Sequence, residues 1–311
     1  MSIKILGDST MDLSPELQKE LSIPCVPFHI NFGDVTKDDM SFPNEEMYAY
    51  FKKTGKLTQT SAVNVGEVKA FLEEHVKEGD EAYYFSISSD LSSGFQNVSL
   101  AAQEMGDHIH VIDSRSFSLG IGLQALHLQA LVESGVTDKE TLLKEIETYK
   151  DHVTASLTVE DLSFFAKGGR CSKLTAFGAN LLKIRPTLMI KDGKFTVFAK
   201  MRGSMDKLGR KYAETVLPAF SDIDYSLALI GYTSDYSQGV KDLEQALKDA
   251  GFQRVVVTKT NSTNATHSGP NSYGFAFASG PELKKDSLFQ RAKEKLASLR
   301  KKNKQSEKEG E

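Results

Sequence analysis

The stretch AYYFSISSDLSSGFQNVSLAAQEMGDHIHVID, residues 82–113, decides the fold class. Ala82–Ile87 is a short run of mainly apolar and aromatic residues, the composition of a buried strand. Serines and a glycine interrupt it, and Phe95–Met105 then predicts a helix. After Gly106-Asp107, Ile109–Ile112 predicts a second strand. Strand, helix and strand within so short a span form the repeating unit of a parallel sheet covered by helices.

The same alternation extends to both sides. Ile3–Leu6 predicts a strand ending at Gly7-Asp8-Ser9-Thr10, and Ser14-Pro15-Glu16 opens a helix with serine as N-cap and proline in the first turn. Cys25–Ile30 predicts one strand. Asn44 is expected to cap a helix reaching about Lys53. A helix starting at Asn64 or Val65 would carry Val65, Val68, Leu72 and Val76 on one face. Phe117–Ser134 predicts a long, largely buried helix, and Thr137-Asp138 caps another that ends near Lys150.

Beyond it the pattern changes. Val153–Glu160 predicts a strand, followed by a glycine loop at Lys167-Gly168-Gly169-Arg170. Leu188–Ile190 and Phe195–Phe198 flank Lys191-Asp192-Gly193-Lys194, where Asp-Gly suits a type I′ hairpin turn. Helices over Ser204–Phe220 and Gln238–Ala250 alternate with strands at Leu227–Tyr232, Val255–Lys259 and Tyr273–Ala278. The expected organisation is an α/β domain over 1–157, an α+β domain over 158–283, and a basic C-terminal helix or tail over 284–311.

Composition narrows the function. The 311 residues are 40% hydrophobic and 26% charged, as in ordinary globular proteins, and the net charge of −4 gives no reason to expect a nucleic-acid partner. Residues 284–304 hold nine lysines or arginines against two acids, a +7 segment that leaves −11 for the remainder. Leu288, Ala292, Leu296 and Leu299 recur there at helical spacing. This predicts an amphipathic helix with a solvated basic face, a transient contact with a membrane surface being the alternative. Cys25 and Cys171 are too few for a disulfide framework and lack metal-ligand spacing. The first residues run directly into a strand, so no signal peptide is expected, and no apolar window is long enough to span a bilayer. The expected compartment is the cytoplasm.

Phosphate-loop, dinucleotide, zinc-protease and nucleophile-elbow motifs are all missing. Four hydroxyl-rich clusters stand instead at strand ends: Asp8-Ser9-Thr10, Thr58-Gln59-Thr60-Ser61, Ser86 to Gln96, and Asp113-Ser114-Arg115-Ser116. Each serine or threonine could be a simple helix cap. Four clusters at strand ends in one α/β unit point further, to a small anion held beyond the sheet's carboxyl edge by hydroxyls and helix N-termini. The hydroxyls alone do not say which anion.

These segments resemble the DegV family. Asp8-Ser9-Thr10 is similar to that family's D-S-T opening, Thr60-Ser61 to its T-S before a helix, and Ser88 to Asn97 to its S-S-x-L-S-G-T-Y-Q-S segment. Leu162 to Arg170 resembles L-x-x-L-x-x-G-G-R, and Leu182 to Leu188 with Asp192-Gly193-Lys194 resembles L-x-I-K-P-I-L…D-G-x. Lys200-Met201-Arg202-Gly203 matches K-x-R-G/T, and His267-Ser268-Gly269-Pro270 resembles H-x-G-P-G, with Asn271 where the last glycine is common. The resemblance runs in order from residue 3 to about 280. It implies a two-domain fold with a lipid between the domains, and a carrier that hands a long-chain fatty acid to a separate ATP-dependent fatty acid kinase, with no cofactor and no metal.

By that resemblance Thr60, Ser61 and a serine of the Ser92-Ser93 pair would bind the carboxylate, with His267 approaching it and Asp8, Ser9 and Gly94 in the head-group neighbourhood. Arg170 and Arg202 would face the kinase or the mouth. Where the family has G-T-Y this chain has Ser93-Gly94-Phe95, so Ser93 would supply the hydroxyl. Apolar candidates for the channel are Ile112, Phe117, Leu119, Ile121, Phe164 and Phe165. The alternative reading is a serine-dependent hydrolase or acyl transferase, using a serine of Ser86–Ser93 with His267 as base and Asp8 or Asp113 as its orienter.

A fatty acid divides the work between its two ends. Each buried methylene contributes about 0.8 kcal/mol, so ~15 carbons supply about 12 kcal/mol gross. A charge-assisted hydrogen bond contributes about 1.5–3 kcal/mol. The tail holds and the head group orients.

Overall fold

The structure, a computed structural model, describes residues 2–170 and 184–284. The expectations for Cys171, for Leu182-Lys183 and for nearly all of the basic tail lie outside the described residues.

Three sheets organise the chain. The first is parallel throughout, with strand order β2-β1-β6-β7, formed by β1 (Ile3–Asp8), β2 (Cys25–Val26), β6 (Glu81–Ser86) and β7 (Ile109–Asp113). The helices α1 (Pro15–Leu21), α3 (Val65–His75) and α4 (Gly94–Met105) connect its elements. Ser14 caps α1 as expected, and Asn64 caps α3 through a reciprocal box with Glu67.

A second, three-stranded antiparallel sheet, β4-β3-β5, consists of β3 (His29–Asn31), β4 (Thr36–Asp38) and β5 (Gln59–Ser61). The single strand expected over Cys25–Ile30 is therefore two strands in different sheets. Pro27 has no N–H to offer a ladder, and the Phe28 N–H turns to Asp39 Oδ1 and Ser9 Oγ. The helix α2 (Glu45–Thr54) follows, but Asn44 does not cap it. Its side-chain amide donates to the carbonyls of Thr233 and Thr260 and accepts from Ser262.

The third sheet has six strands in the order β10-β9-β8-β13-β11-β12: β8 (Val153–Thr158), β9 (Ile184–Lys191), β10 (Lys194–Arg202), β11 (Leu227–Tyr232), β12 (Arg254–Lys259) and β13 (Tyr273–Ala278). Only β11 and β12 run parallel. The β9–β10 turn has positive φ at Asp192 and Gly193, as the type I′ expectation requires. The helix expected over Ser204–Phe220 is shorter, α8 (Gly209–Val216), with 3-10 turns on either side; Pro218 ends its hydrogen-bond ladder. α9 (Gln238–Asp249) packs beside it. Two short helices went unpredicted, α7 (Leu162–Gly168) and α10 (Ser262–Ser268).

α5 (Leu119–Glu133) explains how the layers join, while α6 (Lys139–Lys150) lies against its other end. α5 touches β1 and β6 of the parallel sheet and β8, β11 and β13 of the mixed sheet. A helix between two sheets must be apolar all round, and Leu119 to Leu128 are buried without exception. Two glycines let the layers close on it. A Cβ at Gly120 would fall 2.9 Å from the Cβ of Ala155 on β8, and one at Gly122 would fall 2.9 Å from the carbonyl of Met11 on the opposite side. The main core surrounds α5, and a second core lies between the mixed sheet and α8 and α9.

Candidate functional site

A cavity of about 360 Å³ lies where the carboxyl ends of the parallel strands meet the face of the mixed sheet. The edge of an α/β sheet is where ligands are expected, and the volume is that of a small-molecule site. Phe28 after β2, Ile87 after β6 and Phe117 and Leu119 after β7 form one wall. Ala155, Leu157 and Phe275 of the mixed sheet form the other, and Phe165 of α7 meets Phe195 of β10 edge to face at 5.0 Å. Of the predicted channel residues, Phe117, Leu119 and Phe165 line the cavity. Ile112 and Ile121 are core residues, and Phe164 packs against Phe51 instead.

One group of polar residues brings β5, the start of α4 and α10 together in the lining. β5 pairs with β3, placing Ile30 opposite Thr60 and His29 opposite Ser61, so that Thr60 meets α10 across the cavity. Thr60 Oγ1 lies 3.0 Å from His267 Nε2. Ser61, Ser92 and Ser93 share the lining with them. Ser92 Oγ accepts from the Gly94 N–H at 3.1 Å, which caps α4, whereas the Ser93 side chain makes no cap bond. The first N–H groups of α4 and its dipole favour an anion at this spot.

Burial, with the nearby charge of Arg170 second, pushes the His267 imidazole down to about 3, so it is neutral near pH 7. Its Nδ1 has no partner among the described residues and is turned to the backbone of Gly168. A bare lone pair is the cheaper atom to leave unpaired than an N–H. The economical tautomer therefore carries its proton on Nε2 and donates it to Thr60 Oγ1. That leaves the Thr60 hydroxyl hydrogen for a ligand.

The glycine loop behind this contact is in part helical. α7 ends at Gly168, and Arg170 donates from Nη1 to the Gly168 carbonyl at 2.7 Å and from Nε toward the Leu91 carbonyl at 3.4 Å. Arg170 thereby joins the end of α7 to the 88–93 loop. With Leu91, Ser92, Ser93 and Phe195 it borders both the cavity and an open groove outside. The β9–β10 hairpin closes the same rim: Ser88 Oγ donates to the Gly193 carbonyl at 2.9 Å and Lys194 pairs with Asp90 at 3.1 Å. Arg202, by contrast, is exposed at the end of β10 and is not part of the cavity lining.

Asp8 and Ser9 stand behind the wall. Asp8 accepts from Thr10, from Ser86 Oγ at 3.1 Å and from the Ile87 N–H at 3.0 Å, tying the ends of β1 and β6 together. Ser9 Oγ donates to Asp39 at 2.8 Å. Asp12, which sequence reading passed over, receives Ser118 Oγ, the Asn261 N–H at 2.7 Å and Asn264 Nδ2 at 2.7 Å. Asn264 Nδ2 also reaches the Thr10 carbonyl, and Asn261 Nδ2 the Ser9 carbonyl. The D-S-T segment thus secures α10, and with it His267. Burial raises Asp8 and Asp39 to about 6 and Asp12 to about 7. Gly94 is likewise absent from the lining; a Cβ there would fall 2.9 Å from Phe28 Cζ, so it admits the ring that lines the wall.

The serine–histidine arrangement of the alternative reading is not assembled among the described residues. Ser86 donates to Asp8, Ser88 to Gly193 and Ser89 to Asp113, and the partner of His267 is Thr60. No described helix is long and apolar enough to cross a membrane, and no metal-binding cluster occurs among the described residues.

A family model described as "Uncharacterised protein, DegV family" matches residues 2–280. The chain belongs to the DegV family. It is 33% identical over 223 residues, 71% of its length and 78% of the relative's, to a DegV domain-containing protein of Clostridium perfringens. It is 29% identical over 282 residues, 88% of its length and 97% of the relative's, to a protein of Thermotoga maritima named a fatty acid-binding protein. A solved DegV family structure from Thermus thermophilus, described by its fatty acid binding, superposes with a TM-score of 0.82 at 28% identity, covering 90% of this chain and all of the other.

Proposed function

We propose that this protein binds one long-chain fatty acid, with the acyl chain in the cavity and the carboxylate at Thr60 and His267. The observation that carries the reading is the Thr60–His267 pair, 3.0 Å apart, set in the wall of a cavity that Phe28, Ile87, Phe117, Leu119, Phe165 and Phe275 also line. A carboxylate buried without donors costs several kcal/mol. Thr60, Ser61, Ser93, whose hydroxyl makes no bond among the described residues, and the start of α4 supply donors, with His267 orienting the first of them. Ser92, whose oxygen already accepts from Gly94, retains its own hydrogen to give.

The second part of the proposal concerns use. The head group sits beside a rim bordered by Arg170, where cavity and outer groove share residues. That placement supports a carrier that presents the carboxylate to a separate ATP-dependent fatty acid kinase for acyl-phosphate formation, Arg170 at the mouth and Arg202 on the partner-facing surface. Arginine suits such contacts with phosphate or carboxylate. The carrier contributes no catalytic group of its own in this reading.

Native mass spectrometry of the purified protein tests the binding step. The expected spectrum shows one long-chain fatty acid per chain. A spectrum of bare protein, with no uptake from a supplied fatty acid, overturns it.

A further inference from the structure

Resting on the fatty acid reading, we infer that the cavity favours acyl ligands carrying a hydroxyl group close to the carboxyl end, which Asn264 recognises through Oδ1. Several hydroxyls in this wall are already committed to the protein, whereas that of Thr260 has no partner among the described residues. Ser118 donates to Asp12, Ser156 shares a hydrogen with Tyr212 at 2.7 Å, and Thr233 donates to the Gly269 carbonyl at 2.8 Å. Ser268 and Ser272 donate to backbone carbonyls at 2.6 and 2.7 Å. They present methylene and oxygen surface, but their hydrogens are spent.

Asn264 differs. It lines the cavity, and its amide is fixed in orientation, because Nδ2 has two acceptors, the Thr10 carbonyl at 2.9 Å and Asp12 at 2.7 Å. Only a nitrogen satisfies both, so Oδ1 is the atom turned away from them, and it has no hydrogen-bond partner among the described residues. Asn264 precedes His267 by three residues on α10, so the two side chains are neighbours on one helical face, about 5–6 Å apart.

A chain entering past Thr60 and His267 therefore meets a fixed acceptor within one helical turn of its head group. A plain methylene there covers an unpaired oxygen, which is costly, and a carboxylate oxygen is repelled by it. A hydroxyl in the first few carbons of the acyl chain donates to it. The second hydroxyl lone pair then remains free for a water.

The test compares hexadecanoate, 2- and 3-hydroxyhexadecanoate and 16-hydroxyhexadecanoate by competitive titration against the intact protein. One of the two head-proximal hydroxy acids should bind about fivefold more tightly than hexadecanoate, the size of one net hydrogen bond. The 16-hydroxy acid should show no such gain. In Asn264→Ala the preference should vanish, and the ratio of affinities reads this independently of any general loss of binding. Equal or weaker binding of both head-proximal hydroxy acids to the unaltered protein overturns the inference while leaving fatty acid binding standing. Binding of none of the four overturns the fatty acid reading itself, and the inference with it.

Discussion

The backbone of Gly168 lies directly against the imidazole of His267: a Cβ added to this glycine would fall 2.4 Å from Nδ1. The contact fixes the ring from behind while Thr60 holds it in front. The first glycine of the Gly-Gly-Arg segment thus serves the site through its lack of a side chain. Gly269, just past His267, makes the converse contact, its missing Cβ leaving room for the ring of Phe164.

Gly168→Ala should accordingly push the imidazole off Thr60. We expect a destabilisation of about 1–3 kcal/mol, as for overpacking elsewhere, and at least a tenfold rise in fatty acid Kd. Gly169→Ala is the informative control. Nothing lies within 4 Å of its added Cβ, but φ is +72°, so it should cost about 1 kcal/mol of stability through backbone strain and leave Kd nearly unchanged. Thermal melts and fatty acid titrations of the two variants separate site from scaffold.

Thr60→Val keeps the shape and removes the hydroxyl. Binding should weaken about tenfold, one charge-assisted hydrogen bond, because the acyl chain supplies most of the affinity. Thr60→Ser should restore it. Complete loss of the ligand from the Thr60→Val protein in native mass spectra would contradict the division of labour between tail and head.

Arg170→Ala and Arg202→Ala should differ in kind. Arg170 anchors α7 to the 88–93 loop and borders the cavity, so its loss should raise Kd severalfold as well as slow acyl-phosphate formation by an added fatty acid kinase. Arg202, away from the lining, should leave Kd unchanged and affect only turnover by the kinase. Equal turnover of the Arg202→Ala complex and the unaltered one would remove this residue from the partner surface.

Stability should fall between pH 6.5 and 8. Asp8, Asp12 and Asp39 have pKa values raised by burial, Asp12 to about 7, so the native state holds protons that the unfolded chain releases. Such groups stabilise at low pH, and the contribution is lost as pH rises from about 4 through 7. His127 and His267, pushed down to about 3 by burial, act oppositely, but only below about 6.5, where the unfolded imidazole titrates. His29, which burial lowers but its bonds to Glu67 and Asp38 raise on balance, adds to the loss on the alkaline side. A melting temperature a few degrees lower at pH 8 than at pH 6.5 is expected. The drop should shrink in Asp12→Asn.

How much of this could be read in advance depended on length and on what surrounds each element. Residues 82–113 declared their strand–helix–strand order because each piece is long enough to show its period, and Asp192-Gly193 declared its turn because few pairs tolerate two positive φ values. Thr60 stands out in the sequence as one of a hydroxyl cluster, yet its strand does not. Three residues show no alternation, and Gln59–Ser61 is fixed only by pairing with His29–Asn31. α10, Ser-Thr-Asn-Ala-Thr-His-Ser, has one apolar residue and a composition suited to caps and turns, so its helix rests on tertiary contacts with Asp12 and Asn44 that local sequence does not carry. Asp12 escaped notice for the same reason: an aspartate beside Met11 and Leu13 reads as a loop residue until the distant Asn261 and Asn264 arrive. The near-uniform apolarity of α5 announced burial, but not that the burial lay between two different sheets.

The fastening of α10 at both ends has a further consequence. Its beginning is clamped to the tip of the first strand and its end to the imidazole beside the ligand's head group, through seven residues with no slack between. A head group that draws His267 toward itself therefore pulls on the joint between the parallel and mixed sheets. Loading with lipid should be felt as a tightening of the whole molecule, far from any atom the lipid touches.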